Sequence, residues 1–201
     1  MDKFEFVKQP TFEDFKEVQG IEREFLKEET IATAEQTFAW SKKNPDIEIF
    51  IRDVIIGKVV GSLTITPLNE EQYNKFIAGT LQDTELSAET LERYEGGQKY
   101  WLLFAAVAIR KAYQGKGLFN MLMKGFALKI KELEQRGISF ANICGEGQTM
   151  AGRRIFQELI GLEKIDGNFE FPLYYFGKGD QSEKVKDFFE GIKNKYLGGE
   201  S

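Results

Sequence analysis

The most informative segment of the chain lies near its middle and reads Tyr113-Gln114-Gly115-Lys116-Gly117-Leu118-Phe119. It follows the unbroken apolar run 101–109 and opens an amphipathic segment that is typical of a helix to about residue 136. A strand, a tight glycine-containing turn and a helix build an anion site, because the backbone N–H groups of such a turn can point at one spot. The helix N-terminus adds a partial positive charge, and Lys116 adds a cation. The segment therefore predicts a phosphate-binding loop.

Spacing excludes two better-known phosphate loops. A Walker A loop needs Gly-x-x-x-x-Gly-Lys-[Ser/Thr], whereas Lys116 precedes the second glycine of this loop. A dinucleotide-binding fingerprint needs a third glycine where this sequence has Asn120. That fingerprint also usually lies in the first strand-helix unit of its domain, and this loop lies in the middle of the chain.

The loop resembles the acetyl-coenzyme A (acetyl-CoA) loop of the GNAT superfamily of N-acetyltransferases, [Gln/Arg]-x-x-Gly-x-[Gly/Ala]. Gln114 fills its first position, Gly117 is its glycine, and Tyr113 is the aromatic residue that often precedes it. Phe119 replaces the final Gly or Ala, so its side chain must point away from the loop while its N–H still donates. The alternative is an ordinary strand-to-helix turn whose glycines serve packing.

Composition narrows the class of protein. A chain of 201 residues, 42% hydrophobic and 29% charged, is typical of one globular domain, and we expect residues 1–201 to form it. A net charge of −5 argues against nucleic acid as the main partner. The sequence has no His, which removes Ser-His-Asp and Cys-His catalysis and most zinc sites, so no metal is expected. The single cysteine, Cys144, suits a reducing cytoplasm, and no apolar stretch approaches the roughly 20 residues that cross a membrane.

Hydrophobic periodicity predicts the order of the elements. In chain order these are a strand (4–7), a helix capped by Thr11 with an apolar face reaching Phe25, a helix (31–43), a hairpin (47–52 and 58–66), a central strand (100–109), the loop and its helix, a strand (140–145), a helix (149–160) and two strands (162–165 and 169–176). This order is similar to the GNAT fold over about residues 3–176. The resemblance implies an α/β (mixed α+β) fold, in which helices flank a central splayed mixed sheet.

A C-terminal helix at 182–196 lies outside that core. Its apolar stripe contains Phe188 and Phe189. We expect the stripe to dock on the chain's own core, and a homodimer that packs through it is the alternative.

Charge is unevenly distributed around the loop. Residues 69–98, an insertion relative to short family members, carry seven acidic and two basic residues, whereas residues 110–136 carry seven basic and two acidic ones. One interpretation is two solvated surfaces. The other is that the basic region receives an anionic coenzyme while the acidic insertion gathers a cationic acceptor.

The resemblance also implies the site. Acetyl-CoA would bind along a V-shaped opening between the strands 100–109 and 140–145, on backbone groups of Val107 and Ile109 and on the loop residues Gln114, Gly115, Lys116, Gly117, Leu118 and Phe119. An amine would attack the thioester directly in a ternary complex, with a backbone N–H near Val107 stabilising the oxyanion. The side chains of 103–109 are expected to be plain sheet core.

The residues that transfer protons are the hardest part of the site to predict from the sequence. Glu146, placed just past the strand end, is the candidate general base, and a solvated loop carboxylate is the alternative. Family members often carry a tyrosine on the following helix as the acid, but here Ile155 or Phe156 takes its place. Tyr174 and Tyr175 are remote substitutes. Cys144 is expected to be a buried small hydrophobe rather than a nucleophile.

The functional hypothesis is a cytoplasmic N-acetyltransferase that moves an acetyl group from acetyl-CoA to an amine. The acceptor would be a polyamine-like or aminoglycoside-like molecule, an amino acid derivative or a protein amine. The alternative is a non-catalytic CoA-binding sensor or interaction module on the same fold. A third hypothesis is transfer of a longer acyl group.

Overall fold

The computed structural model describes residues 3–198, and its elements surround one mixed sheet. The strands of these residues are β1 (Phe4–Phe6), β2 (Glu48–Asp53), β3 (Lys58–Leu68), β4 (Lys99–Ile109), β5 (Ser139–Glu146), β6 (Glu163–Lys164) and β7 (Leu173–Tyr175). The helices are α1 (Phe12–Glu22), α2 (Ala34–Lys43), α3 (Glu70–Ile77), α4 (Leu118–Gln135), α5 (Met150–Arg154) and α6 (Ser182–Leu197). A π-helical turn, Ile155–Ile160, continues α5.

The sheet has seven strands among the described residues, in the order β1-β2-β3-β4-β5-β7-β6. Neighbouring strands are antiparallel except for the central pair, β4 and β5, which is parallel. A parallel pair needs a long crossover connection, and α4 supplies it. The predicted mixed sheet with flanking helices is confirmed.

Helices cover both faces of the sheet. Successive side chains of a strand point to opposite faces, so neighbouring residues of one strand contact different helices. On β2, Phe50 meets Phe15 of α1 edge-to-face, with 5.1 Å between ring centroids. The neighbouring Ile49 faces α4, where Gly125 approaches so closely that a Cβ there would come within 2.7 Å of the Ile49 Cγ2 atom. The sheet is therefore the middle layer, with α1 on one face and α4 on the other.

The second helix starts later than the periodicity predicts. It begins at Ala34 rather than at residue 31, because Thr33 caps it in a reciprocal arrangement with Gln36. The Gln36 amide donates to the Thr33 hydroxyl at 3.2 Å, and the Thr33 amide donates to the Gln36 side chain at 2.9 Å. The prediction for 31–33 was wrong.

The two closing strands are much shorter than the predicted 162–165 and 169–176. Only Glu163–Lys164 and Leu173–Tyr175 of these segments are strands, and they pair with each other. Pro172 has no N–H to donate to a ladder, and Gly167 weakens the segment before it. The predicted strand length was wrong at both places.

The insertion 69–98 is part of the folded core. It forms α3 and a series of turns, and it buries five large side chains, Tyr73, Phe76, Leu86, Leu91 and Tyr94. Its two opening acids remain on the surface, where Glu71 pairs with Lys75 at 2.7 Å. The segment is therefore a structural part of the wall beside β4 as well as a charged surface.

The C-terminal helix docks on the rest of the chain. Val185, Phe189 and Ile192 are buried, and the Phe189 ring lies 6.0 Å from that of Phe126 on α4. The apolar stripe is therefore covered by the chain's own core, as expected. A homodimer stays a prediction.

Candidate active site

The glycine loop presents a set of unpaired backbone amides. Gly115 and Gly117 have positive φ angles of 72° and 79°, which glycine adopts without strain, and Gly117 is the N-cap of α4. The amides of residues 115–120 donate to no acceptor within the part of the chain that the structure describes. The space around both glycines is open, since a Cβ atom placed on either one would meet no atom within 4 Å. An anion can therefore reach several N–H groups at once.

The side chains around the loop leave that space free. Phe119 is half-buried and packs against the main apolar core rather than over the loop. The Lys116 ammonium lies 4.7 Å from the centroid of the Tyr113 ring, and the Tyr113 hydroxyl donates to Asp53 at 2.9 Å. Asp53 thus fixes the aromatic residue on which the loop lysine rests.

Strands β4 and β5 separate next to this loop. Their pairing ends at Leu103 opposite Cys144, after which β5 pairs with β7 and β4 continues along β3. The Arg110 amide donates to the Val60 carbonyl of β3 at 3.0 Å. Because backbone groups of an antiparallel strand alternate in direction, those of Val107 and Ile109 face the opening. The predicted V-shaped opening is present, and both residues line it.

A β-bulge shapes the wall of the opening. The register between β3 and β4 shifts so that Thr64 pairs with Ala106 while Ile65 pairs with Phe104, which leaves Ala105 extra. Residues 105–109 line a cavity of about 220 Å³. The expectation of sheet core is confirmed for Leu103, Phe104 and Ala108, which are buried, whereas Ala105, Ala106, Val107 and Ile109 are half-buried and line the cavity.

Glu146 lies in the cavity wall. It is the last residue of β5 rather than a loop residue past the strand, because its backbone pairs with Leu173. The Gln148 side-chain amide donates to its Oε1 atom at 2.9 Å. Burial raises the pKa of Glu146 to about 7, with Asp83 as a further cause and the Gln148 hydrogen bond opposing both. A carboxyl group with such a pKa suits general-base catalysis near neutral pH.

Two further carboxyl groups line the cavity, of which Glu22 was not identified from the sequence and Asp83 only as one of the acids of the insertion. Glu22 is the last residue of α1, which ends before Phe25, so Phe25 is an exposed cavity residue and not part of the helix face. Burial raises the pKa of Glu22 to about 8, with Asp83 as the second cause. Burial raises the pKa of Asp83 to about 6, against hydrogen bonds from the backbone that lower it.

A fourth carboxyl group lies behind them. Glu48 on β2 accepts a hydrogen bond from Thr64 at 2.8 Å, and Thr64 lines the cavity. Burial is the main cause that raises the pKa of Glu48 well above its ordinary value, and Glu22 raises it further. The sequence had a signal for Glu22, which falls four residues after Val18 and seven after Phe15, on the buried stripe of α1.

The acid that often assists departure of the thiol has no obvious equivalent. Ile155 and Phe156 line the cavity from the helix after β5, and among the described lining residues there is no Lys, Arg or Tyr. Tyr174 is buried and stacks on Phe156 with 5.3 Å between ring centroids. Cys144 is buried, and burial raises the pKa of its thiol, as expected of a small hydrophobic core residue.

The predicted charge asymmetry reaches the cavity in one place only. Of the acidic insertion, Asp83 lines the cavity. In the basic region, Lys129 and Arg136 both pair with Asp46, and Lys129 also pairs with Glu132. Among the described residues, Asp83 is therefore the one charged residue of these two regions that lines the cavity, and the interpretation as solvated surfaces stays a prediction for the others.

Comparison with known proteins identifies the fold. No model of a protein family matches the sequence, and no curated protein matches it. Solved structures match in three dimensions. The loading GNATL domain of CurA from Lyngbya majuscula is 12% identical, with a TM-score of 0.58 over 87% of this chain and 98% of that one. The NatC complex bound to Gag peptide and CoA is 11% identical, with a TM-score of 0.56 over 87% and 96%. Ard1 from Thermoplasma volcanium is also 11% identical, with a TM-score of 0.54 over 87% and 95%.

The chain therefore has the fold of the GNAT superfamily, as the loop and the order of elements predicted. Sequence identities of 11–12% together with these structural matches support a shared fold, and they do not indicate a particular reaction. Between residues 3 and 198, no helix has the length and apolar character to span a membrane. In the same range, no group of three or more His, Cys, Asp or Glu side chains is arranged to hold a metal ion.

Proposed function

We propose that this protein is an N-acetyltransferase that moves an acetyl group from acetyl-CoA to an amine bound in the carboxylate-lined cavity. The single observation that carries the proposal is the set of unpaired amides at residues 115–120, which lies directly after the opening between β4 and β5. A diphosphate and a slender arm attached to it require these two features side by side.

The residues present fit acetyl-CoA as a substrate. The amides from Gly115 to Phe119 would donate to its diphosphate, with Gln114 and Lys116 at the edge of that anion site. The backbone groups of Val107 and Ile109, unpaired on the side of the opening, would hold the amides of its pantetheine arm. The related NatC fold was solved with CoA, which is consistent with this assignment.

Glu146 is the proposed general base. An alkyl ammonium has a pKa of roughly 10.4, so a group on the protein must take its proton before the nitrogen can attack. Glu146 lines the cavity, and its raised pKa places it near the point where it accepts a proton at neutral pH. A backbone amide near Val107 would stabilise the negative charge on the acetyl oxygen.

Departure of the thiol needs little help from the protein. A simple thiol has a pKa of roughly 8.5, so its thiolate is a fair leaving group. The described lining of the cavity offers no tyrosine to protonate it, and water is the proposed donor. We expect the missing acid to slow turnover rather than prevent it.

Incubation with acetyl-CoA and a panel of amines, with free thiol measured over time, tests the proposal. Thiol release that depends on both substrates supports it. Tight CoA binding with no thiol release from any amine would instead favour the non-catalytic CoA-binding sensor or interaction module. A comparison of acetyl-CoA with longer acyl-CoA molecules separates acetyl transfer from transfer of a longer chain.

A further inference from the structure

The cavity is rich in hydrogen-bond acceptors and poor in available donors. Glu22, Asp83 and Glu146 line it, and its described lining contains no Lys or Arg. Its side-chain donors are largely committed: the Trp40 indole donates to the Leu86 carbonyl at 3.1 Å, and the Thr64 hydroxyl donates to Glu48. A ligand that brings N–H groups and positive charge would satisfy this wall, whereas one that brings carbonyl or carboxylate oxygens would not.

Two of the acceptors have no donor among the described residues. The Glu22 carboxyl group makes no hydrogen bond or ion pair there, although the residue is half-buried and lines the cavity. The Oε1 atom of Gln148 is buried and also lacks a partner, while the amide nitrogen of the same side chain donates to Glu146. Because an unsatisfied buried acceptor is costly, the Gln148 Oε1 atom points to a ligand that donates to it, and the Glu22 carboxyl group beside the same cavity is available to that ligand.

The carboxyl groups reach the cavity from three separate parts of the chain, with Glu22 at the end of α1, Asp83 in the insertion and Glu146 at the end of β5. Asp83 raises the pKa of both Glu22 and Glu146, and Glu22 raises that of Glu48, so each group lies within electrostatic reach of the next. Among the described residues, these carboxyl groups do not form a cluster of three or more that could hold a metal ion. Such a series matches an elongated cation with more than one charge better than it matches a point charge.

The walls between these groups are apolar, and the space is narrow. Leu26, Ile31, Ala32 and Phe104 contribute apolar surface to the lining. The volume of about 220 Å³ also has to admit the reactive end of the coenzyme. It lies below the roughly 300–1,000 Å³ typical of sites for drug-sized ligands, so the cavity suits a small, slender ligand such as a chain of methylene groups.

We propose that the acceptor is a linear diamine or polyamine, whose reacting nitrogen lies beside Glu146 and whose distal ammonium lies between Asp83 and Glu22. This inference rests on the proposed acetyl transfer. In the step itself an N–C bond forms to the acetyl carbon and the C–S bond breaks. Of the two protons that the attacking ammonium loses, one leaves through Glu146 to solvent and one ends on the sulfur of the released thiol.

Two amines of equal chain length test the distal site. Butylamine and 1,4-diaminobutane present the same attacking nitrogen, and only the second carries a distal ammonium. With acetyl-CoA as donor, we expect kcat/KM for the diamine to exceed that for the monoamine by about tenfold to a hundredfold, the value of a hydrogen-bonded charge. Equal kcat/KM values, or a preference for a peptide α-amine over the diamine, would overturn the assignment.

Single substitutions test which residues bind the distal ammonium of the diamine. At about pH 9, where Glu22 with its pKa of about 8 is ionised, Glu22→Gln and Asp83→Asn should each reduce the diamine-to-monoamine ratio by about tenfold, because each removes one anionic partner of the distal ammonium. The matched controls are Glu13→Gln, an exposed residue of the same helix as Glu22, and Glu70→Gln, an exposed residue of the insertion that carries Asp83. An unchanged ratio in both cavity variants would contradict the proposal.

Diamine binding measured in the absence of acetyl-CoA distinguishes this inference from the proposed function. Calorimetric titration of the coenzyme-free protein with 1,4-diaminobutane at about pH 9, above the Glu22 pKa of about 8, should give saturable binding that Glu22→Gln weakens. Diamine binding together with no thiol release under any condition would support the acceptor site and overturn the transfer. Thiol release with equal efficiency from both amines would support the transfer and overturn the acceptor class.

Discussion

Removal of the buried carboxyl group at Glu22 should stabilise the protein, and increasingly so as the pH rises. Its pKa in the folded protein is about 8, against an ordinary value of 4.5. Between these two values the folded state keeps a proton that the unfolded state has lost. Stability therefore falls as the pH rises through this window, and Glu22→Gln removes that dependence.

The size of the stability difference follows from the pH range between the two pKa values of Glu22, about 4.5 in the unfolded state and about 8 in the folded state. One proton bound only by the folded state costs about 1.4 kcal/mol of stability for each pH unit. From about pH 5 to pH 7 the free energy of unfolding of Glu22→Gln should therefore rise by roughly 2.5 kcal/mol relative to that of the wild type. For a chain of this size that corresponds to a relative increase in Tm of roughly 5–10 °C.

Urea denaturation of both proteins at pH 5, 6, 7 and 8 measures this difference. Glu13→Gln is the matched control, because Glu13 lies on the same helix but is exposed, with Lys16 as its ion-pair partner among the described residues. The control should show no comparable pH dependence. A stability difference for Glu22→Gln that stays constant with pH, or that falls as the pH rises, would show that Glu22 does not hold a proton in the folded state.

Two variants probe the coenzyme loop and the base. Gly117→Val should abolish CoA binding by calorimetry and leave the protein folded, whereas Gly57→Val, at an equally open glycine with φ of 69°, should keep CoA affinity despite similar backbone strain. Normal affinity in Gly117→Val would remove the loop from the site. Glu146→Gln should lower kcat about a hundredfold with little change in KM and should abolish the rise of activity with pH near the Glu146 pKa of about 7. Retention of that rise would assign it to another group, and the exposed Glu163→Gln is the control.

Much of the architecture is encoded locally and could be predicted from the sequence. The apolar run of β4, the glycine turn and the stripe of α4 specify the centre of the sheet, because each depends on neighbouring residues only. The predicted start of α2 was wrong because the Thr33 cap, and not the hydrophobic periodicity, determines where that helix begins. The closing strands were overestimated because Pro172 and Gly167 interrupt the ladder.

The site was only half predictable, because its carboxyl groups come from distant parts of the chain. Gln114, Val107, Ile109 and Glu146 were identified, and all four line the cavity. Asp83 was recognised only as one of many acids in the insertion. The inward position of Glu22 could have been read from its place on the stripe of α1, whereas that of Glu48 depends on the packing of β2.

Three broader expectations stay predictions: a single domain over residues 1–201, of which 1, 2 and 199–201 lie outside the described residues, a cytoplasmic location, and a homodimer. The geometry of the described site does not depend on them. Each strand and helix that lines the cavity lies within residues 3–198.

A crystal structure of the wild-type protein in complex with CoA would decide whether the glycine loop is the coenzyme site. We expect diphosphate oxygens within hydrogen-bond distance, about 3 Å, of the amides between Gly115 and Phe119, with the thiol lying between β4 and β5 beside Glu146. A coenzyme bound elsewhere on the surface, with these amides making no contact to phosphate, would show that the loop has another role.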